Sequence, residues 1–318
     1  MEATTAWTFT PYPALPPTFL PNVALYNATS PSTNVTYQIT LSYPFEWGTT
    51  PPSPSPPTTT KNKTALTIYI TDSNAFTPTA SDFLKRRKPV DPSQPDTLVV
   101  GIGYPLTDSV YSFSQRSIDF GAPIPGVDPV PFPFPSGADS FLDFIDLSLR
   151  PWVRNRVFPG VEFTRDALYG HSSGGLFVTY ALATRPKMFD TFIAASPSLT
   201  LRNGSALGEV TRRFGDGMGI PGEVDLGTNV TERPAVFIAY GELEDFPLRK
   251  RTQTEAEFQQ RRALLQRFGP GKWSHDLYDR LVGSGQMRDV VLKEYAGQDH
   301  ATVGGSAVMD GISYFQDW

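Results

Sequence analysis

Gly170-His171-Ser172-Ser173-Gly174 sets a serine between two glycines at the spacing G-x-S-x-G. That spacing suits a sharp strand-to-helix turn in which the serine hydroxyl stands exposed as a nucleophile. A serine hydroxyl is a weak nucleophile at its own pKa, so acyl transfer needs a base, most often a histidine. Only three histidines exist here, His171, His275 and His300, and there is no cysteine. Thiol chemistry, disulfide scaffolds and Cys-ligated metal centres are therefore excluded.

His300 is the expected base. It lies in Gly297-Gln298-Asp299-His300-Ala301-Thr302-Val303, after a strand-like run and before the last helical pattern, and the chain order serine, acid, histidine requires the base to come late. His171 adjoins the serine and points away from it in such a turn, toward packing or orienting. His275 follows Trp273-Ser274 in what reads as a helix start. The acid that holds the imidazole belongs after the strand-like Ala235 to Tyr240, where Gly241-Glu242-Leu243-Glu244-Asp245-Phe246 crowds three carboxylates. Glu244 is the first choice, with Asp245 and Glu242 as alternatives. The oxyanion donors expected are the backbone N–H of Ser173, at a helix N-terminus, and that of Ser73 or Asn74, after the strand-like Ala65 to Thr71.

These groups must be carried by a sheet and its helices. Strand-like runs cover Val23 to Asn27, Thr36 to Tyr43, Ala65 to Thr71, Thr97 to Ile102, Ala167 to Tyr169, Phe192 to Ala195, Ala235 to Tyr240 and Val290 to Tyr295. Helical spacing covers Asp139 to Val157, Gly174 to Thr184, Thr252 to Phe268 and Ser306 to Phe315. Strands alternating with helices, without repeats or a visible boundary, predict one α/β domain over residues 1–318, doubly wound on a mostly parallel eight-stranded sheet. Two proline-rich stretches, 48–60 and 121–135, read as loop insertions.

The 318 residues carry 27 Lys+Arg against 32 Asp+Glu, a net charge of −5. This balance speaks against nucleic acid as a partner, and no apolar stretch is long enough to span a membrane. No signal peptide is legible, so the cytoplasm is the expected location. N-x-[ST] triplets at Asn27, Asn34, Asn62, Asn203 and Asn229 leave glycosylation open.

Taken together, Tyr69 to Ala75, Gln115-Arg116-Ser117-Ile118-Asp119-Phe120, Gly137 to Ile145, Gly170 to Phe177, Ser196-Pro197-Ser198 and Gly297 to Val303 resemble the esterase D-like α/β-hydrolases. Within them the chain is similar to the siderophore-esterase group, IroE-type and fungal triacetylfusarinine C esterase-like. The resemblance spans roughly Pro21 to Trp318 and implies hydrolysis of the ester bonds of a tri-ester siderophore, as its ferric complex, releasing iron inside the cell. Ser172 and His300 fall on the family's catalytic positions. Two departures stand out: Ser73 replaces the glycine usual in an Asp-Gly-Asn loop, and some relatives work as a Ser-His dyad, which leaves Glu244 open. Arg116, in the family's Arg-x-x-Asp stretch, is expected either to contact substrate or to pair with Asp119. Phe132 and Phe134 are expected as walls of the substrate cleft, with His171 beside them, or else as cover for the core. The partner implied is a small-molecule ester; no metal or organic cofactor is required. The same residues also fit a general carboxylesterase, a feruloyl-type esterase or an acyltransferase. A non-enzymatic binding protein would need Ser172 and His300 to be vestigial.

Overall fold

The computed structural model describes residues 7–11, 22–47, 63–106, 109–124, 135–216 and 219–318. Among these residues, β-branched and aromatic runs form nine strands: β1 (Thr8–Pro11), β2 (Val23–Thr29), β3 (Thr36–Ser42), β4 (Lys63–Thr71), β5 (Thr97–Gly103), β6 (Val161–His171), β7 (Thr191–Ala195), β8 (Ala235–Gly241) and β9 (Asp289–Tyr295). They build one sheet in the order β1-β2-β3-β5-β4-β6-β7-β8-β9. The pairs from β1 to β5 are antiparallel and those from β5 to β9 are parallel. The sequence predicts eight strands; β1 is the ninth, a four-residue edge whose Thr-Phe-Thr-Pro composition carries little strand signal.

Strands β5 and β8 are buried along their whole length, whereas β2 alternates. Continuous apolar strands are what a sheet covered on both faces requires. On one face α1 (Ser73–Val90) and α10 (His300–Gln316) set Phe76, Val303, Ile312 and Phe315 against Ile68, Tyr169, Ile193 and Phe237. The opposite face carries α5 (Ser173–Thr184), α6 (Ser205–Phe214) and a helical run over 138–157, with Phe141, Phe177, Leu182 and Phe192 in its core.

That run differs from the regular helix predicted over Asp139 to Val157. It consists of α3 (Ala138–Asp143), a π-helical stretch (Phe144–Leu149), α4 (Arg150–Trp152) and a second π-helical stretch (Val153–Val157). Pro151 has no N–H for the α-helical ladder, and the wider winding accommodates its ring. Between β5 and α3 lies the short α2 (Phe113–Asp119). After β8 come α7 (Glu242–Asp245), α8 (Glu255–Phe268) and α9 (Pro270–Ser284). Gly269, at φ 49°, breaks the chain between α8 and α9, so His275 lies inside α9 rather than at its start. The last helix begins at His300, six positions before the predicted Ser306, because the Asp299 side chain accepts the N–H groups of Ala301 and Thr302. The proline-rich stretch 48–60 lies outside the described residues, as do 125–134 of the second stretch.

Candidate active site

Strand register gathers the site at one edge. Ile70 of β4 pairs with Tyr169 of β6, His171 with Ala195 of β7, Ala195 with Ala239 of β8, and Gly241 with Tyr295 of β9. Asp72, Ser172, Ser196, Glu244 and His300 thus all follow the carboxyl ends of neighbouring parallel strands, where open α/β sheets form their crevice.

Ser172 occupies the turn between β6 and α5 at φ 58° and ψ −117°. A non-glycine residue there costs about 1–3 kcal/mol and persists only where its surroundings enforce it. Enforcement comes from both sides: Ser172 N–H donates to the Ala195 carbonyl (2.9 Å), and the Ser172 carbonyl accepts from Leu176 and Ser198 (3.0 and 3.1 Å). The flanking glycines are steric necessities, since a Cβ on Gly170 would sit 2.2 Å from the Gly174 carbonyl oxygen and one on Gly174 would sit 2.6 Å from Thr71 Oγ1. Ser173 is the first residue of α5, so its N–H is unclaimed by the helix and faces out of its positive end.

His300 Nδ1 lies 2.6 Å from Glu244 Oε2. Glu244 is only 2% exposed, yet both carboxylate oxygens are bonded: Oε1 accepts the Ser196 hydroxyl and the Gly241 N–H (2.8 Å). The other two acids of the loop are engaged elsewhere. Glu242 accepts the Gly297 N–H (2.8 Å), and Asp245 faces the amides of Gly271 and Lys272 at the start of α9, where burial pushes its carboxyl up. Of the three candidates, Glu244 is the one placed on the imidazole. The Ser172 hydroxyl pairs with Ser198 Oγ (3.2 Å) rather than with His300, and both Ser172 and His300 line one cleft.

Two residues expected beside the substrate, His171 and Arg116, are buried instead. His171 is buried beneath the base, its ring 4.6 Å from that of His300 and 5.3 Å from Phe76. It is not among the residues lining the cleft, and burial, with His300 next, pushes its imidazole down to about 3. Arg116 is likewise buried, and Asp72 rather than Asp119 holds it: its guanidinium spans the Asp72 carboxylate with contacts of 2.7, 3.0 and 3.2 Å. Asp119 bonds instead to Tyr104 and Gln115. Phe132 and Phe134 lie outside the described residues. The side chains of Ser73 and Asn74 are committed to Thr40, Thr77 and the Tyr104 carbonyl, which leaves their backbone amides, in the first turn of α1, as the groups able to donate outward.

The cleft measures ≈720 Å³, and its lining extends beyond the residues the sequence pattern singles out. Pro197, Ser198, Leu201, Leu243, Leu248 and Phe268 line it, with Arg249, Lys250 and Arg261 among the lining groups. α8, read from sequence as a charged surface helix, contributes Arg261, Leu265 and Phe268 to this lining. Ser196, at φ 40° and 1% exposed, was legible only as part of a motif; its work is to hold Glu244.

An oriented imidazole, a strained serine and helix-end amides thus border one cleft, the set of groups that acyl transfer uses in α/β-hydrolases. The Esterase family model matches residues 110–269. A siderophore enterobactin esterase of Emericella nidulans is 37% identical over 288 residues, covering 88% of this chain and 89% of that one. A siderophore triacetylfusarinine C esterase of Aspergillus fumigatus is 32% identical over 283 residues, covering 89% of each. The solved structure of the siderophore hydrolase EstA from Aspergillus nidulans superposes with a TM-score of 0.81 at 34% identity, over 96% of this chain and 99% of that one. The chain belongs to this esterase family and is a carboxylic ester hydrolase. Among the described residues no helix is long and apolar enough to cross a membrane.

Proposed function

We propose that this esterase hydrolyses the ester bonds of a tri-ester siderophore such as triacetylfusarinine C, presented as its ferric complex, and so releases iron inside the cell. The observation that carries the catalytic part is the 2.6 Å contact between buried Glu244 and His300, in the same cleft as the strained Ser172. The substrate class rests on the likeness to the two siderophore esterases and on a cleft large enough for a bulky ligand.

In this reading His300 takes the proton of Ser172 as Oγ attacks the ester carbonyl. Glu244, bonded to Nδ1, fixes the tautomer with Nε2 as acceptor and stabilises the imidazolium that forms. The carbonyl oxygen becomes an oxyanion held by the N–H of Ser173 and by that of Ser73 or Asn74. Collapse expels the alcohol, which receives the proton from His300. Water, deprotonated by the same histidine, then attacks the acyl-enzyme and releases the acid and free Ser172. The iron travels as the cargo of the substrate, on the siderophore's own ligands.

The test is mass-spectrometric product analysis after incubation with ferric and iron-free tri-esters of hydroxamate and catecholate types, beside a simple aryl ester, using wild type and Ser172→Ala. Serine-dependent opening of one siderophore class supports the reading. Cleavage of the aryl ester with every siderophore intact removes the iron-release part and leaves a general carboxylesterase or feruloyl-type esterase. An acyltransferase would reveal itself by ester products when an alcohol is supplied.

A further inference from the structure

The two groups of amides assigned above to the oxyanion belong to different helices, α1 and α5, that start after β4 and β6. Nothing in the chain's local sequence sets the gap between them. Asp72 is the residue before α1; it adopts the left-handed conformation at φ 50°, and its side chain makes no cap on its own helix. An aspartate at that position ordinarily accepts an N–H of the first turn. Here the carboxylate is diverted to Arg116, which grips it through Nε and Nη2. The remaining nitrogen, Nη1, reaches Ser173 Oγ at 3.5 Å, at the start of α5.

Both partners are withdrawn from water, with side chains 8% and 0% exposed. The guanidinium also lies over two aromatic rings, 5.3 Å from the centroid of Tyr111 and 5.4 Å from that of Phe120. Burying such a pair gains little net stability against an apolar packing of the same volume. What the planar fork adds is geometry: two parallel bonds fix the carboxylate, and with it the backbone of residues 72–74, relative to the elbow. A Cβ on Gly174 would come within 3.7 Å of Asp72 Oδ2, so the carboxylate already lies against the first turn of α5.

We infer that Arg116 is a positioning residue, which by clamping Asp72 against the start of α5 sets the separation of the oxyanion donors on α1 and α5. The inference rests on the proposed role of Ser172. It assigns Arg116 no contact with substrate, in keeping with its burial. A displacement of about 1 Å at a donor is enough to cost on the order of 10² in rate.

The experiment compares wild type, Arg116→Lys and the double variant Asp72→Asn/Arg116→Gln. Arg116→Lys keeps the charge but loses the fork; the double variant leaves no orphaned buried ion and decides the matter if the single variant does not fold. Each is assayed for kcat and KM on an aryl ester and for inhibition by phenylboronic acid, whose tetrahedral adduct on Ser172 places an oxygen where the oxyanion forms. The expected result is a fall in kcat on the order of 10²-fold with KM changed by less than about threefold, and a parallel loss of boronate affinity. A merely structural role would lower thermal stability without moving the boronate constant in step with kcat. Folded variants whose kcat and boronate affinity both stay within about threefold of wild type overturn the clamp, as does a kcat loss with unchanged boronate affinity. A Ser172→Ala control that keeps the wild-type rate instead removes the reading beneath it.

Discussion

Glu244 Oε2 lies 2.6 Å from His300 Nδ1, and the other oxygen of the same carboxylate is bonded to Ser196 Oγ and to the Gly241 amide. The acid is thus anchored from β7 and β8 while it holds a histidine on α10. A carboxylate with one oxygen tied to the framework has a single direction left for the other, and that direction fixes the ring.

Glu244→Gln should lower kcat/KM on the order of 10²–10⁴-fold at neutral pH, because the amide can present N–H to Nδ1 and select the wrong tautomer. Glu242→Gln and Asp245→Asn should stay within about threefold of wild type, since neither carboxylate faces the imidazole. Steady-state kinetics on one ester substrate separates the three. Equal losses in all three would mean that the loop, rather than Glu244, is what matters.

Gly170→Ala should destabilise the protein by more than about 3 kcal/mol, because its Cβ would overlap the Gly174 carbonyl group at 2.2 and 2.4 Å. Gly305→Ala, with nothing within 4 Å of its Cβ inside α10, should instead gain up to about 1 kcal/mol from helix propensity. Denaturant midpoints in urea measure both; a well-folded Gly170→Ala of native stability would refute the tight turn.

How much of this was legible beforehand follows from how local each signal is. Ser172 announces itself because the elbow needs two glycines within four positions, and His300 because few histidines compete. Glu244 was one of three carboxylates, and the choice among them is made by partners far along the chain: Ser196 for Glu244, Gly297 for Glu242, and the start of α9 for Asp245. For Arg116 the sequence offers the substrate or Asp119, three positions on, whereas the structure pairs it with Asp72, 44 positions back. The cleft face of α8 was missed for a different reason. Its residues border an open cleft rather than the core, none is buried, and an apolar stripe of the ordinary kind never forms. The π-wound stretch and the early start of α10 likewise depend on a proline inside one helix and a cap on the other.

His171 makes a prediction about acid. Its imidazole is held near 3 in the folded chain against 6.5 for a free one. The unfolded chain therefore binds the extra proton as pH falls from 6.5 toward 3, so this residue's contribution to stability is intact above 6.5 and lost across that window. His171→Asn, which cannot titrate, should show a melting temperature that falls less steeply between pH 7 and pH 5 than that of wild type, whatever constant offset the lost ring contact introduces. Parallel melting curves across that range would contradict the buried neutral state.

The most direct test of the central claim is fluorophosphonate labelling followed by intact-mass and peptide analysis, with siderophore hydrolysis measured on the same samples. The expected result is one adduct per chain, located on Ser172, formed more slowly in His300→Ala, with hydrolysis lost in proportion to labelling. Full labelling of Ser172 with hydrolysis undiminished, or an adduct on another residue, would contradict it.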